Sequence, residues 1–553
     1  MNGMSRKLFL TGVIILILAW GALVPSVETM EFHPSLPSLI PPLLAISMAL
    51  ITREVILSLF CGIWIGSTMM TGYNPISGLL ATIDTHIINS IIDSDQAKIL
   101  LFTLGFGGVI GIVSANGGMK GVVESASKYA STRKRSQLAT MMMGVVIFFD
   151  DYANTLFVGN MMRPFTDRLK VSREKLAYIV DSTAAPVASL AIISTWSVFQ
   201  MSLLETPYKA YGITENPYIT FINSIPYSFY CILTVIFMGY LLWTGRDYSN
   251  MLKAERRAIR EGKVLADGAQ PLTDDEMTKA GVLTSGGSHW TNAMVPILLV
   301  VLITVVGLYV TGTSALAPGD DHSVRNIIGS SDPYRALIWG SLLAGIIAIL
   351  LSNGQGILTL REGVESWVQG AKSMLMACMI LVLAWTLGDI CGEVKTADYI
   401  ISLTEGLLTP ALLPAVTFLT AALVSFCTGT SWGTMPILVP IAVPLAFKLL
   451  GGDPNTVLAE PIYLATFASV LSGCVFGDHC SPLSDTTILS SIASGSDHVD
   501  HVRTQLPYAM TTGIISLILG YAMVSYLPVG VAIAFGAIVV FGVVKFLGRR
   551  ADA

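Results

Sequence analysis

The chain has 553 residues, of which 53% are hydrophobic and only 12% charged, with a mean hydropathy of +0.68. Soluble proteins carry roughly 25% charged residues, so this composition excludes a soluble globular protein and leaves a polytopic membrane protein. The formal net charge of −5 supplies no basic footprint for nucleic acid.

Arg6-Lys7 ahead of the apolar run 8–25 imitates a signal peptide, but no small-x-small cleavage site follows, so the run reads as a first transmembrane helix. Runs long enough to span follow at 38–52, 54–73, 98–115, 175–204, 219–243, 291–312, 334–352, 372–392, 458–492, 507–527 and 530–547. Two stretches, 136–163 and 411–450, are apolar but interrupted by polar residues. The seven cysteines lie in apolar segments or at their edges without a CxxC pair, which argues against a disulfide framework or a zinc site.

Cations assign the sides. Arg6-Lys7, Arg133-Lys134-Arg135, Arg163 to Lys175, Arg246 to Lys279, Arg361 with Lys372, and Lys545 with Arg549-Arg550 read as cytoplasmic, and both termini fall on that side. Loops near 26–37, 205–218 and 313–333 are almost free of cations and read as outside. Segment 136–163 is basic on both flanks, so both its ends are expected inside, whereas the cation-poor flanks of 411–450 put both its ends outside. A single crossing cannot return to its own side, so each is expected to be a re-entrant hairpin, with tips at Phe149–Thr155 and Cys427–Gly433.

The elements 54–73, 98–115, 136–163, 175–204 and 219–243 recur in order as 334–352, 372–392, 411–450, 458–492 and 507–527. The two copies enter from opposite sides, the inverted-repeat build of secondary transporters. The expected fold is therefore all-α with about 12 spanning helices, some of them discontinuous. Its parts are N-terminal helices (1–53), a first repeat (54–243), a cytoplasmic linker (244–290) with a short helix near Leu252–Arg260, a connecting helix and outer loop (291–333), a second repeat (334–527), and a C-terminal helix and tail (528–553). No chemistry is assigned to the linker.

Polar residues at membrane depth mark the candidate site, because ionisable groups there cost about 2.5–3.5 kcal/mol each on insertion scales. The densest cluster is Gly477-Asp478-His479-Cys480-Ser481-Pro482-Leu483-Ser484-Asp485-Thr486-Thr487. Its bland reading is a polar turn around a proline, but without it the run 458–492 has no span. Asp478, Ser481, Ser484, Asp485 and Thr486 are taken as cation ligands, with sodium at Asp478 and Asp485. Asp150, Asp151 and Asn154 at the first tip join them, although adjacent helical carboxylates diverge by about 100° and only one is expected to face the site. Thr428, Thr430 and Ser431 at the second tip, with Asp181 and Thr195, are assigned to the substrate path. Hydroxyls and backbone carbonyls can replace the water shell of a hard cation, and small residues packing between helices is the bland alternative. Asn116 and Asp389 are further buried-polar candidates.

Other patterns fail on context. Gly429-Thr-Ser-Trp-Gly433 fits GxSxG, but no strand precedes it. Gly105-Phe-Gly-Gly108 lies inside a span and reads as helix packing, and His498-Val-Asp-His501 reads as a solvated loop. The sequence has no P-loop, so transport is not powered by ATP within this chain.

The 477–487 cluster, together with Phe149-Asp150-Asp151-Tyr152-Ala153-Asn154 and Asp181-Ser-Thr-Ala-Ala-Pro186, resembles the NhaC-type sodium/proton antiporter family over roughly residues 40–530. The resemblance implies a bacterial inner-membrane secondary transporter, with sodium ion, proton and lipid bilayer as partners and no cofactor. It also admits a small organic acid or amino acid as passenger, and it leaves a homodimer open. Sodium/proton exchange at a shared aspartate is the leading expectation, and a sodium-coupled organic carrier is the alternative. An intramembrane aspartyl protease lacks the expected GxGD, since Val475-Phe-Gly477 precedes Asp478.

Overall fold

The computed structural model describes residues 33–52, 54–127, 131–271, 289–316, 324–404 and 409–552. The first expected span, 8–25, lies outside them. Among the described residues eight helices are long and apolar enough to cross a membrane, or eleven if three bent helix pairs each count as one span.

The helices are α1 (Ile40–Thr52), α2 (Val55–Met70), α3 (Pro75–Ile92), α4 (Ser94–Ala115), α5 (Gly118–Ser127), α6 (Arg133–Val146), α7 (Asp151–Arg168), α8 (Arg173–Thr183), α9 (Thr195–Ser202) and α10 (Phe229–Thr244). The linker contributes α11 (Ser249–Glu261), and α12 (Thr291–Ala315) follows it. Next come α13 (Pro333–Gly354), α14 (Leu360–Ser373), α15 (Leu375–Glu393), α16 (Thr396–Thr404), α17 (Leu413–Thr428), α18 (Ser431–Leu449), α19 (Pro461–Cys480), α20 (Asp485–Ser494), α21 (His498–Ile515) and α22 (Val529–Leu547). With the short helices Ala185–Leu190 and Pro454–Val457 set aside, the order α2 to α9 is matched by α13 to α20.

Several expected spans are corrected. The run 54–73 ends at Met70, and the chain then folds back by 117° into α3, whose Asp84 and His86 break its apolar pattern. The run 175–204 is two bent pieces, Arg173–Leu190 and Thr195–Ala210, at 50° to each other. Between them Ala191 leaves helical geometry and Ser194 caps the restart through the Ser197 N–H. The amphipathic α14 begins in a capping box of Thr359 and Glu362. It packs on α4, where a Cβ at Gly111 would sit 2.3 Å from the Ser366 carbonyl. The glycines of 105–108 are packing residues: Gly107 lies against Met374 and Gly108 against Trp367.

The first interrupted segment closes on itself. Glu255 of α11 accepts from the Ser172 backbone N–H at 2.8 Å and from Gln137 Nε2 at 3.3 Å, and it pairs with Arg133. Arg133 in turn donates to the Lys170 carbonyl. One buried carboxylate therefore ties the start of α6 to the end of α7, which makes α6–α7 a hairpin whose ends share a face. Lys175 is 1% exposed and pairs with Asp247 at 2.5 Å, while Tyr508 donates to the same Asp247 oxygen at 2.7 Å. Removing one partner of such a pair costs roughly 3–5 kcal/mol, because the other is left as an unpaired buried charge. The linker is thus a structural clamp, a role its sequence did not disclose. Arg246-Asp247 also pairs, as a short antiparallel ladder, with Arg549-Arg550 at the C-terminal end.

The second hairpin, α17–α18, ends elsewhere. Lys448 near the end of α18 pairs with Asp398 of α16, just before α17. Its turn is Gly429 at φ +73°, the left-handed geometry glycine tolerates, with a Cβ position only 2.5 Å from the Leu483 carbonyl. Pro436, Pro440 and Pro444 recur every four residues inside α18, so one buried face lacks three of its helical N–H bonds.

Candidate functional site

Four chain interruptions meet in the interior. Asp150 caps α7 by accepting from the Ala153 N–H at 2.8 Å, Ser194 caps α9, Thr430 caps α18 through the Gly433 N–H, and Ser484 caps α20 through the Thr487 N–H. Each is a short polar residue at the N-cap, where its side-chain oxygen accepts from a first-turn N–H, the local pattern that starts a new helix. Residues from all four helix starts line one cavity of about 470 Å³, bounded also by Glu54 and by Met374–Ile380. The positive ends of the helix dipoles therefore face it, which favours ionised carboxylates there.

The carboxylates are held differently. Asp150 is fully engaged, since its second oxygen accepts from Thr195 Oγ1 at 3.3 Å. Asp151 is 1% exposed, and neither of its oxygens makes a well-formed hydrogen bond, the Trp196 indole N–H being the nearby donor. Asp485 opens into the cavity, where Tyr152 donates to Oδ2 at 2.5 Å and the Thr486 N–H to Oδ1 at 2.8 Å. That first contact joins residues 333 positions apart and brings the first hairpin onto the α19–α20 break. Among the described residues no Lys, Arg or His lines the cavity.

Not every sequence candidate reaches the cavity. Asp150, Asp151, Asp485, Thr195, Thr428 and Thr430 line it, and Asp478, Ser431, Ser481, Ser484, Thr486, Asn154 and Asp181 do not. Asp478 lies behind, taking a 2.9 Å bond from Ser431 on Oδ2 and leaving Oδ1 unpartnered. Ser481 is a turn tie that donates to the Phe426 carbonyl at 2.7 Å and accepts from the Leu483 N–H. Asn154 is a clamp through its amide nitrogen, which donates to the carbonyls of Gly144, Ile147 and Thr183 and so fixes its orientation, while its Oδ1 is buried without a hydrogen-bond partner. Ser484 and Thr486 hydroxyls bond each other at 2.9 Å. Asn116 bridges Ser352 and caps the Gly118 N–H, so it is a packing residue. Among the described residues no three His, Cys, Asp or Glu side chains form a metal cluster, so a sodium shell here would draw on hydroxyl and carbonyl oxygens as well.

Two groups escaped the sequence reading. Tyr152 and Glu54 line the cavity, and the one local signal was an acid or phenol beside a polar break. The His498–His501 stretch is corrected from a solvated loop to the first turn of α21, where His501 is fully buried. Asp181 accepts from Gln505 Nε2 at 2.6 Å and Thr487 Oγ1 at 3.0 Å, with His479 and His501 at 3.9 and 4.0 Å. That packing buries a polar layer on the far side of α20 from the cavity.

Residues 187–525 match the sequence profile of the Na+/H+ antiporter family. An uncharacterised protein of Haemophilus influenzae is 34% identical over 517 residues, covering 91% of this chain and 94% of that protein. The chain belongs to the Na+/H+ antiporter family. Membership makes this antiporter-family protein a secondary transporter of the membrane rather than an enzyme. The malate-2H+/Na+-lactate antiporter of Bacillus subtilis is 34% identical over 160 residues, 28% of this chain and 30% of that one. The fold is similar to that of the Alcanivorax borkumensis YdaH transporter, with a TM-score of 0.51, 15% identity and coverage of 88% of this chain and 99% of that one.

Proposed function

We propose that this protein exchanges sodium ions for protons across a bacterial inner membrane by alternating access, with Asp151 and Asp485 as the groups that trade one cation for the other. The observation that carries this reading is the buried Asp151, whose oxygens make no well-formed hydrogen bond, beside the cavity-facing Asp485, in a lining with no basic side chain among the described residues. A buried carboxylate so poorly served by donors is costly unless it is protonated or coordinates a cation, which are the two states an antiporter alternates between. Asp150 and Thr195 keep the α7 start in place, and Asp478 with Ser431 supports the site from behind. The face carrying Arg133, Lys170, Arg173, Arg246 and Arg549 is cytoplasmic by the positive-inside rule, which puts the C-terminal end inside, and Arg6-Lys7 assign the N-terminus to the same side by the same rule, with the two hairpins opening to opposite sides.

A second reading has its own support. The cavity of about 470 Å³ holds far more than a bare ion, given the roughly 30 Å³ a water molecule occupies in the liquid. Trp432 in its wall stacks on Phe199 with ring centroids 4.0 Å apart, a surface suited to the apolar part of a small organic acid or amino acid moving with sodium. Flux through the full chain in proteoliposomes separates the two. Sodium movement driven by a pH jump with no organic solute present supports the exchanger. Movement only after malate, lactate or an amino acid is added supports the carrier, and none under either condition refutes both.

A further inference from the structure

The buried polar layer behind α20 reaches the cytoplasmic face through two histidines that share one hydroxyl. His498 is half-buried and His501 fully buried. Ser491 Oγ lies 3.0 Å from His498 Nδ1 and 2.9 Å from His501 Nδ1, and 2.9 Å from the Thr487 carbonyl.

Hydrogen-bond accounting fixes the tautomers. His498 Nε2 is 2.8 Å from the Pro482 carbonyl, which can only accept, so that nitrogen carries a proton. Gln505 turns its amide nitrogen to two acceptors, Asp181 Oδ2 and the His479 carbonyl, so its Oε1 faces His501 Nε2 at 2.9 Å. That nitrogen must carry a proton as well. Both Nδ1 atoms are then lone pairs whenever the rings are neutral, and both face the single Ser491 hydroxyl, which has one proton to give. With no extra proton, one Nδ1 lacks a protein donor. With one extra proton every contact is satisfied: the charged ring donates Nδ1–H to Ser491 Oγ, and Ser491 donates to the other ring. With two, both rings donate and Ser491 turns to the Thr487 carbonyl.

We propose that His498, Ser491 and His501 form a proton relay between the cytoplasmic face and the Asp181 layer, and this rests on the exchanger reading above. In the transfer the His498 Nδ1–H bond breaks and its proton joins Ser491 Oγ, while the original Ser491 proton forms the new Nδ1–H bond on His501. Charge moves inward by one ring and the serine regains its hydroxyl. Asp181, 4.0 Å from His501 Nε2, attracts the arriving charge. Facing the relay are Asp181 of α8, His479 of α19 and Gln505 of α21. Asp497 and Asp500 lie at the start of α21, and Arg163 and Arg173 flank the Gly495 turn. His498 also touches Pro482 in the α19–α20 break, so its protonation is felt three residues from Asp485.

Two measurements on the full chain test the relay. In proteoliposomes, sodium-driven proton flux followed by an internal pH dye should fall about tenfold or more in Ser491→Ala, while sodium binding measured by calorimetry at alkaline pH is unchanged. Ser491→Thr, which keeps the hydroxyl, should restore the flux. Wild-type flux in Ser491→Ala, or equal loss in both variants with sodium binding intact, overturns the relay. The second measurement needs no folded variant of the serine: ring ¹⁵N spectra of histidine-labelled wild-type protein, with His498 assigned through His498→Gln. Both rings should be protonated at Nε2 when neutral, and the first proton taken up should register on both rings together. A neutral Nδ1–H ring, or His498 titrating with no response at His501, refutes the relay even if the wild type carries no sodium-driven proton flux. That absence of flux would instead count against the exchanger.

Discussion

Replacing Asp485 with asparagine removes a charge and almost nothing else. Asparagine keeps an oxygen for the Thr486 N–H that Asp485 accepts at 2.8 Å, and the Tyr152 hydroxyl can turn to accept from the new amide. The helix start is preserved because Ser484, not Asp485, is the N-cap. The loss is therefore electrostatic. Two unit charges about 4 Å apart attract by about 4 kcal/mol at the effective dielectric constant typical of protein sites, and about 1.4 kcal/mol corresponds to tenfold in affinity. Asp485→Asn should thus weaken sodium binding by about a thousandfold, with unchanged thermal unfolding. Calorimetry on purified protein at alkaline pH, where the wild-type carboxylate is free of protons, reads this directly. Ser481→Ala is the opposite control: it breaks two turn bonds, worth about 1–3 kcal/mol of stability, and should lower Tm while leaving sodium affinity nearly intact. A change of less than about threefold in Asp485→Asn would be worth only about 0.7 kcal/mol and would show that the cavity carboxylate does not touch the ion.

Sodium and protons competing for the same carboxylates should cost about tenfold in apparent sodium affinity per pH unit below the titration midpoint, flattening above it. Calorimetry across the pH range checks this, and a sodium affinity independent of pH would favour the organic-solute carrier. Gly429→Ala should lower Tm and slow transport, because its φ of +73° costs alanine about 1–2 kcal/mol and its Cβ would press on the Leu483 carbonyl. Wild-type values in a thermal melt and flux assay would refute the tight seating of that tip. In a cysteine-free background, single cysteines at the exposed positions Ser131 and Lys170 should label from one side, and those at Thr409 and Gly451 from the other. Opposite labelling of Ser131 and Lys170 would remove the first hairpin.

What the sequence determined by itself was the set of interruptions. Asp150-Asp151, Thr428–Gly433 and Ser481–Asp485 were legible because polar residues inside apolar runs carry a cost that local context cannot offset, and cation counts on the flanks are likewise local. The amphipathic α3 and α14 were missed, since only half of each face is apolar and a span-length hydropathy reading averages it away. Tertiary structure alone decided which interruptions meet and what each polar group does there. Tyr152 and Asp485 are 333 residues apart, and Asp181 and Gln505 are 324 apart. No spacing rule reaches that far. Ser481 looks like a ligand in sequence but is used up on the Phe426 carbonyl, and Asn154 commits its amide nitrogen to three carbonyls while its Oδ1 stays unpartnered, because a broken helix leaves carbonyls that something must satisfy. His501, polar and beside charged neighbours, reads as solvated until α21 packs against α8 and α20. Burial belongs to the assembled helices, whereas polarity belongs to the residue.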